Sequence, residues 1–383
     1  MLTEYYNKFS KFTDEQRVLL INAIAQAFEE KGIPMTLATS YRIENEIFER
    51  FPTEKLEFYR TSKRGKLYNK CCNRKSSFKT AVAQHLVSRT DDDQTLNQKV
   101  KSWQNKYPVP EEDAEDIYRS LKFDNLSSEV FDSAWKACKQ YRFNDLEMLK
   151  STTDILEKWP FYKYPSGFRL IDMDFTAAFE NADGLLKNWP TYCNAILSFL
   201  NDENHIKEKG IRRILANMTN EDLSENGRDA AIMWALHGYF VPTNKTIKKD
   251  ETLGKKVTTK FTIKDSQDSF LYVAKCAQEL EDHLEFLKNQ KQAIQPFILT
   301  VGEDVLSIKE IVVYFDGIRF TFCHFLRAVD ICYKIFFLFN LDFPKKSQMF
   351  WTFIQTYFYK SKPEKSFSKI HILAEFLSDK QDS

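Results

Sequence analysis

The chain has 383 residues, with little Gly and Pro (10 and 11), abundant Phe and Tyr (33 and 17) and a net charge of only +1. This length allows two or three domains, and the composition excludes a disordered chain and points to a packed, mainly helical protein. Seven scattered cysteines without a Cys-x-x-Cys pair exclude a disulfide framework and fit a reducing compartment.

The first residues include early acids and lack the apolar stretch of a signal peptide. The longest apolar run, around Phe336 to Phe339, falls far short of the ~20 residues needed to cross a bilayer. A soluble intracellular protein, nuclear or cytoplasmic and with no membrane partner, is therefore expected.

A first helix opens at Thr13 or Asp14, carries Leu19, Leu20, Ala23, Ile24 and Ala27 on one face, and ends at Gly32 and Pro34. A second runs from Ser40 to Phe51 and is closed by Pro52. From Arg60 to Arg89 the composition changes, with nine Lys or Arg and no Asp or Glu. At 100° per residue the stretch after Gly65 splits into an apolar side (Leu67, Tyr68, Cys71, Phe78, Val82, Leu86) and a polar side. The pattern predicts a basic third helix, the plan of helix-turn-helix proteins, in which Lys and Arg neutralise phosphates and Asn pairs with adenine. On this reading Lys63, Arg64, Lys66, Lys70 and Arg74 face the backbone of DNA or RNA, while Asn69 and Asn73 face base edges. The competing reading is a solvated basic face.

Asp91-Asp92-Asp93 reads as a solvated run, and Glu111 to Asp116 as either a shield for the basic helix or a favourable helix start. Ser128 to Met148 predicts one long amphipathic helix. The stretch Trp159 to Phe179 reads as a loop, because it contains Pro160, Pro165 and Gly167. It leads to Asp172-Met173-Asp174, which could present two carboxylates to Mg²⁺ as in a nuclease or transposase, active or decayed, given a third carboxylate that the sequence does not single out. The simpler alternative is that Asp174 caps a helix from Phe175 to Phe179. Helices are predicted at Leu185 to Leu200, Glu208 to Met218 and Asp222 to Phe240. Val241 to Lys260 is lysine-rich and reads as a mobile loop, solvated or touching phosphate or acting as a nuclear import signal. Asp265 to Gln292 predicts a further amphipathic helix.

Gln295 to Lys360 is the densest apolar and aromatic region. Ile311, Val313 and Phe315 alternate up to Asp316-Gly317, and Ile318, Phe320 and Phe322 alternate away from it, which predicts a type I′ hairpin. Gln295 to Val301 supplies a third strand. His324 to Leu341 reads as a helix apolar almost all round, with Arg327, Asp330 and Lys334 as a narrow polar stripe. After Pro344 a second helix places Phe350, Phe353, Ile354, Tyr357 and Phe358 on one face.

No glycine-rich phosphate loop, Gly-x-Ser-x-Gly, His-Glu-x-x-His or zinc-ligand spacing is found, so no catalytic residue, metal ligand or cofactor is assigned. The fold expected is mainly α, with helical N-terminal and middle regions and a small α+β C-terminal unit containing an antiparallel hairpin or three-stranded sheet. The divisions are 10–90, 100–240 and 255–383.

The strings QPFILTVG, YFDGIRF and AVDICYKIFFLFNLDFPKKSQMFWTFIQTYFY resemble a C-terminal module of uncharacterised animal proteins, expanded in insects, with distant fish relatives joined to sterile alpha motif domains. GKLYNKCCNRKSSFK and YPSGFRLIDMDF resemble their N-terminal and central regions. Some relatives carry zinc fingers and multiply in lineage-specific copies, so the resemblance implies a nuclear or mobile-element-derived role. It implies no functional residue. The combined expectation is a non-enzymatic, DNA-binding nuclear protein. The alternative is a protein-interaction scaffold, self-associating through its C-terminal unit with an exposed aromatic surface around Trp351.

Overall fold

The computed structural model describes residues 2–31, 33, 35–60, 65–71, 113–149, 151–218, 223–249, 256–290 and 294–380. The described chain is mainly α with a small α+β unit, as the sequence predicts; its strands form a four-stranded mixed sheet and a separate two-stranded ribbon. It divides into two compact units. The first comprises residues 1–97 and 362–383, and the second residues 98–361. The predicted middle and C-terminal regions thus share one unit, and the last helix belongs with the N-terminus.

In the first unit, helices α1 (Leu2–Phe9), α2 (Asp14–Glu30), α3 (Leu37–Arg50), α4 (Leu56–Tyr59) and α5 (66–71) pack with the C-terminal helix α18 (Ser368–Asp379). Thr36 caps α3 by accepting from the Thr39 amide. Phe12, Ile21, Ile47, Phe51, Phe58, Tyr59 and Leu67 form the core, which Ile372 of α18 joins. Ion pairs of 2.9 Å (Lys11–Asp379) and 3.1 Å (Lys55–Glu375) tether α18.

The buried face of α2 differs from the predicted one. Arg17, Ile21 and Ala25 point inward, whereas Leu19, Ala23 and Ala27 are exposed. The helix is apolar around most of its circumference, so periodicity cannot choose a face. The choice falls to Arg17, whose guanidinium is buried against Glu54 (2.8 Å) and lies 4.0 Å over the Phe58 ring.

The second unit opens with α6 (Ala114–Phe123), α7 (Ser128–Ala137), α8 (Lys139–Met148) and α9 (Thr152–Lys158), then a 3₁₀ turn at Pro160–Lys163. The single helix predicted from Ser128 to Met148 is broken at Cys138. There the buried Arg142 reaches back to the Trp135 carbonyl (2.9 Å) and the Cys138 sulfur (3.2 Å). The predicted loop is largely helix α10 (Gly167–Ala178), so Asp174 lies inside a helix and caps nothing. Helices α11 (Gly184–Leu200), α12 (Lys209–Asn217) and α13 (Glu225–Tyr239) follow as expected.

Two strands, β1 (Lys245–Lys249) and β2 (Lys256–Lys260), form an antiparallel hairpin where a loop was expected. Next come α14 (Ile263–Asp268), β3 (Leu271–Ala274) and α15 (Ala277–Asn289) in place of one long helix. Leu271 to Ala274 pairs in parallel with β4 (Phe297–Gly302), and that pairing overrides the helical period. β4, β5 (Ile308–Phe315) and β6 (Ile318–Phe322) are successively antiparallel, giving the order β3-β4-β5-β6. Asp316 and Gly317 both have positive φ (47° and 83°), as a type I′ turn requires.

Helix α16 (Phe325–Leu338) lies between the sheet and α10, α11 and α13, so nearly every side is buried. α17 (Gln348–Phe353) continues into a π-helical turn at Ile354–Phe358, and Phe350, Phe353, Ile354 and Phe358 are all buried. Trp351 is 0% exposed, which removes the aromatic surface expected around it. Among the described residues, no helix is long and apolar enough to cross a membrane.

Candidate nucleic-acid interface

Helix α5 lies just beyond a buried carboxylate. Glu44 of α3 is fully enclosed, and among the described residues its close cation is Arg60, at 3.3 Å. Arg60 in turn lies 3.8 Å over the Tyr41 ring. Burial raises the Glu44 carboxyl, and Arg60 opposes that rise. Arg60 therefore serves the interior of the unit and is not a free phosphate ligand. Gly65 packs so tightly against Glu44 that a Cβ there would stand 2.2 Å from its Oε1. This close approach sets where α5 begins.

Within α5 the inward side is the one the helical wheel predicts, but Lys66 and Lys70, expected on the open side, are partly covered. Leu67 and Cys71 are buried, Tyr68 is half-buried and Asn69 is exposed. Lys66 and Lys70 are half-buried, and neither has an ion-pair partner among the described residues. Burial lowers the Lys66 ammonium; the nearby Arg17 cation adds to this and Asp14 opposes it. Of the predicted contact residues, the structure thus brings Lys66, Asn69 and Lys70 onto one short helix. Lys63, Arg64, Asn73 and Arg74 lie outside the described residues, as does the triple Asp at 91–93. Glu115 and Asp116 occupy the first turn of α6 and pair with Arg119 at 3.1 and 3.5 Å, while Glu111 and Glu112 lie outside the described residues.

The two carboxylates proposed for a metal are consumed by cations. Asp172 receives Arg327 (2.8 Å) and Lys334 (2.5 Å) from α16. Asp174 is bonded by the Arg142 guanidinium, with Nε at 2.9 Å, and by the Tyr162 hydroxyl at 2.6 Å. Two positions apart on a helix, the side chains point to different faces and cannot converge on one ion. Among the described residues, no group of three His, Cys, Asp or Glu side chains could hold a metal. The polar stripe of α16 is therefore the counter-charge of α10. Asp330 closes the network, accepting from Lys334 (2.8 Å) and from the Tyr359 hydroxyl (2.6 Å).

Two features were missed from the sequence. Arg142 follows Trp135 and Cys138 at apolar helical spacing, which marks a buried charge. The β-branched residues on both sides of Gly254 were the signal for the β1–β2 hairpin.

The geometry therefore defines a mainly helical protein of two units, with no metal-holding cluster among the described residues and with Lys66 and Lys70 on a helix of the first unit. Residues 2–79, which cover α1 to α5, match a family model described as a domain of unknown function (DUF4769). No curated protein and no solved structure matches the chain.

Proposed function

We propose that the N-terminal unit binds nucleic acid, DNA in the first instance, along the outward side of α5, and that the protein works without catalysis in the nucleus. The observation that carries this reading is the orientation of α5. Leu67 and Cys71 anchor the helix inward, Asn69 faces solvent, and Lys66 and Lys70 form no ion pair among the described residues. They belong to thirty residues that contain nine cations and no acid. Lys70 would neutralise a phosphate, and Asn69 is the group able to read a base edge.

The test is duplex binding followed across salt concentration. With four to six phosphate contacts, log affinity should fall against log salt with a slope of roughly −4 to −5. Lys70→Ala should weaken all sequences alike and reduce the slope by about 1, whereas Asn69→Ala should flatten sequence preference with the slope unchanged. Binding that ignores salt, or a Lys70→Ala variant with unchanged slope, would refute the reading.

A further inference from the structure

The β1–β2 hairpin is built against its own electrostatics. Its register sets Lys245 opposite Lys260 and Lys249 opposite Lys256. Like charges directly opposite each other destabilise a ladder, and a two-stranded ribbon is marginal in water even without them. Because strand residues alternate between faces, these four register positions fall on the same face of the ribbon, one lysine pair at each end. Lys245 and Lys260 are exposed, and no ion pair neutralises either among the described residues.

The root of the ribbon is fixed rather than loose, and it adds charge. Asn244 donates to the Lys345 carbonyl (2.9 Å) and to the Gln348 side chain (3.0 Å). This places the exposed Lys345 beside the start of β1, and the Lys346 ammonium lies 5.8 Å from the ring of Phe261, which follows β2. The acids nearby are engaged: Asp265 caps α14 through Thr262, and Asp268 pairs with Lys264 at 2.8 Å. In the sequence, Asp250 and Glu251 lie between the two strands, outside the described residues.

We propose that this ribbon, with Lys345 and Lys346 at its root, is a second phosphate-backbone contact for nucleic acid, carried by the unit that does not contain α5. The proposal rests on the reading that the chain binds nucleic acid. Strand rise puts the two lysine register positions about 13 Å apart, comparable to the axial rise of about four base pairs at ~3.4 Å each. A two-stranded ribbon is also narrow enough to enter a major groove ~12 Å wide. The described ribbon residues are mostly Lys and Thr and include no aromatic, so they lack the apolar face that a membrane-surface element inserts. Bound phosphates would screen the Lys–Lys repulsion, so binding and hairpin order should rise together.

The experiment uses the full chain and a fluorescent duplex, titrated between 0.05 and 0.3 M salt. Lys245→Gln with Lys260→Gln should make the salt slope less steep by about 2 and weaken binding about 30-fold at 0.15 M, independently of sequence. Lys245→Arg with Lys260→Arg should retain wild-type affinity. The single change Lys245→Glu separates ligand contact from structure: it creates a cross-strand ion pair, so hairpin amide exchange should slow while affinity falls. Affinity unchanged by the Gln pair would overturn the hairpin contact even if Lys70→Ala reduces the slope. The opposite pattern would overturn the α5 reading and leave the hairpin standing. No duplex binding by the wild-type chain at 0.05 M salt, or Lys245-dependent binding to phosphatidylserine vesicles in place of duplex, would overturn the proposal.

Discussion

The packed helices of the two units treat positive charge differently. In the second unit, Arg142, Arg327 and Lys334 are buried or nearly so, and each is committed to a carboxylate on α10 or α16. In the first unit, Arg17 and Arg60 are committed in the same manner, to Glu54 and Glu44, but Lys66 and Lys70 are left without a partner among the described residues. Committed cations hold helices together, and a charge already neutralised in a dry interior has nothing left for a phosphate. Uncommitted cations are where an anionic partner can be recognised. A run of basic residues in a sequence mixes the two kinds, and only the packing sorts them.

The sharpest way to break this contrast is to strip a committed cation of its counter-charge. Asp174→Ala leaves Arg142 fully buried, with its guanidinium 3.8 Å over Trp135 and no carboxylate nearby to bond it. Removing one partner of a buried pair costs about 3–5 kcal/mol, and urea unfolding should show it as a lower midpoint. The Tyr162 hydroxyl would lose its acceptor in the same change. A loss below 1 kcal/mol would mean that Arg142 escapes to solvent and that the network is not a structural fixture.

His237 offers the next effect in size, and the pH dependence gives it a sign. It is fully buried, stacked near Phe270 and Phe350 at 5.2 and 4.6 Å, with Nδ1 bonded to the Ser266 hydroxyl at 2.7 Å and, among the described residues, no partner on Nε2. Burial pushes it down to about 3. Among the described residues no charged group offsets that burial, so the folded state refuses a proton that the unfolded chain accepts below about pH 6.5. Stability present above that value is therefore lost as pH falls, by about 1.4 kcal/mol per pH unit, or roughly 2–3 kcal/mol between pH 6.5 and 4.5. His237→Phe should flatten this slope in chemical unfolding at stepped pH. An identical slope in the variant would place the loss elsewhere.

A smaller change tests the partly exposed edge of the network. Asp172→Asn leaves Arg327 and Lys334 still bonded to Asp330, so about 1–2 kcal/mol is expected. Burial alone would raise the Asp172 carboxyl, but the hydrogen bonds from Arg327 and Lys334 outweigh it and hold the group below its usual range. A depressed carboxyl contributes stability above its unfolded value and loses it as pH falls, here below about pH 4. Burial shifts the neighbouring Asp330 the other way, so the wild type should lose less in acid than Asp172 alone implies.

How much of this was legible in the sequence follows from how local each signal is. The Asp316-Gly317 hairpin, the polar stripe of α16 and the inward Leu67 and Cys71 of α5 depend on neighbours within a few residues, and all three are found in the structure. The strand β3, the inward face of α2 and the break at Cys138 depend on distant partners: β4, Glu54 and Asp174. None of those partners lies within a helical period of the residue it controls. The candidate interface was legible as a composition but not as a surface, because nothing in the string shows that Arg60 turns inward or that Lys66 is half-covered. The hairpin lysines were legible as charge and illegible as register.

The mildest test returns to the point where committed and uncommitted charge meet. Gly65 separates Arg60, bound inward to Glu44, from Lys66 and Lys70. A methyl group there would also press on the Arg60 Cβ, at 3.2 Å, as well as on the Glu44 carboxylate. The atom struck hardest is the end of a side chain, so it can shift, but Glu44 is enclosed and has little room. Gly65→Ala should therefore cost about 1 kcal/mol, the low end for overpacking. It should also displace the start of α5 relative to α3. The informative readout is the pairing of Gly65→Ala with Glu44→Gln. Glu44→Gln keeps the volume and removes the charge that holds Arg60, so if the obstacle is steric the two losses should add. If Arg60 swings out once its carboxylate is gone, the double variant should recover stability relative to the sum and gain salt-dependent affinity for a duplex, because a committed cation has been released to the surface.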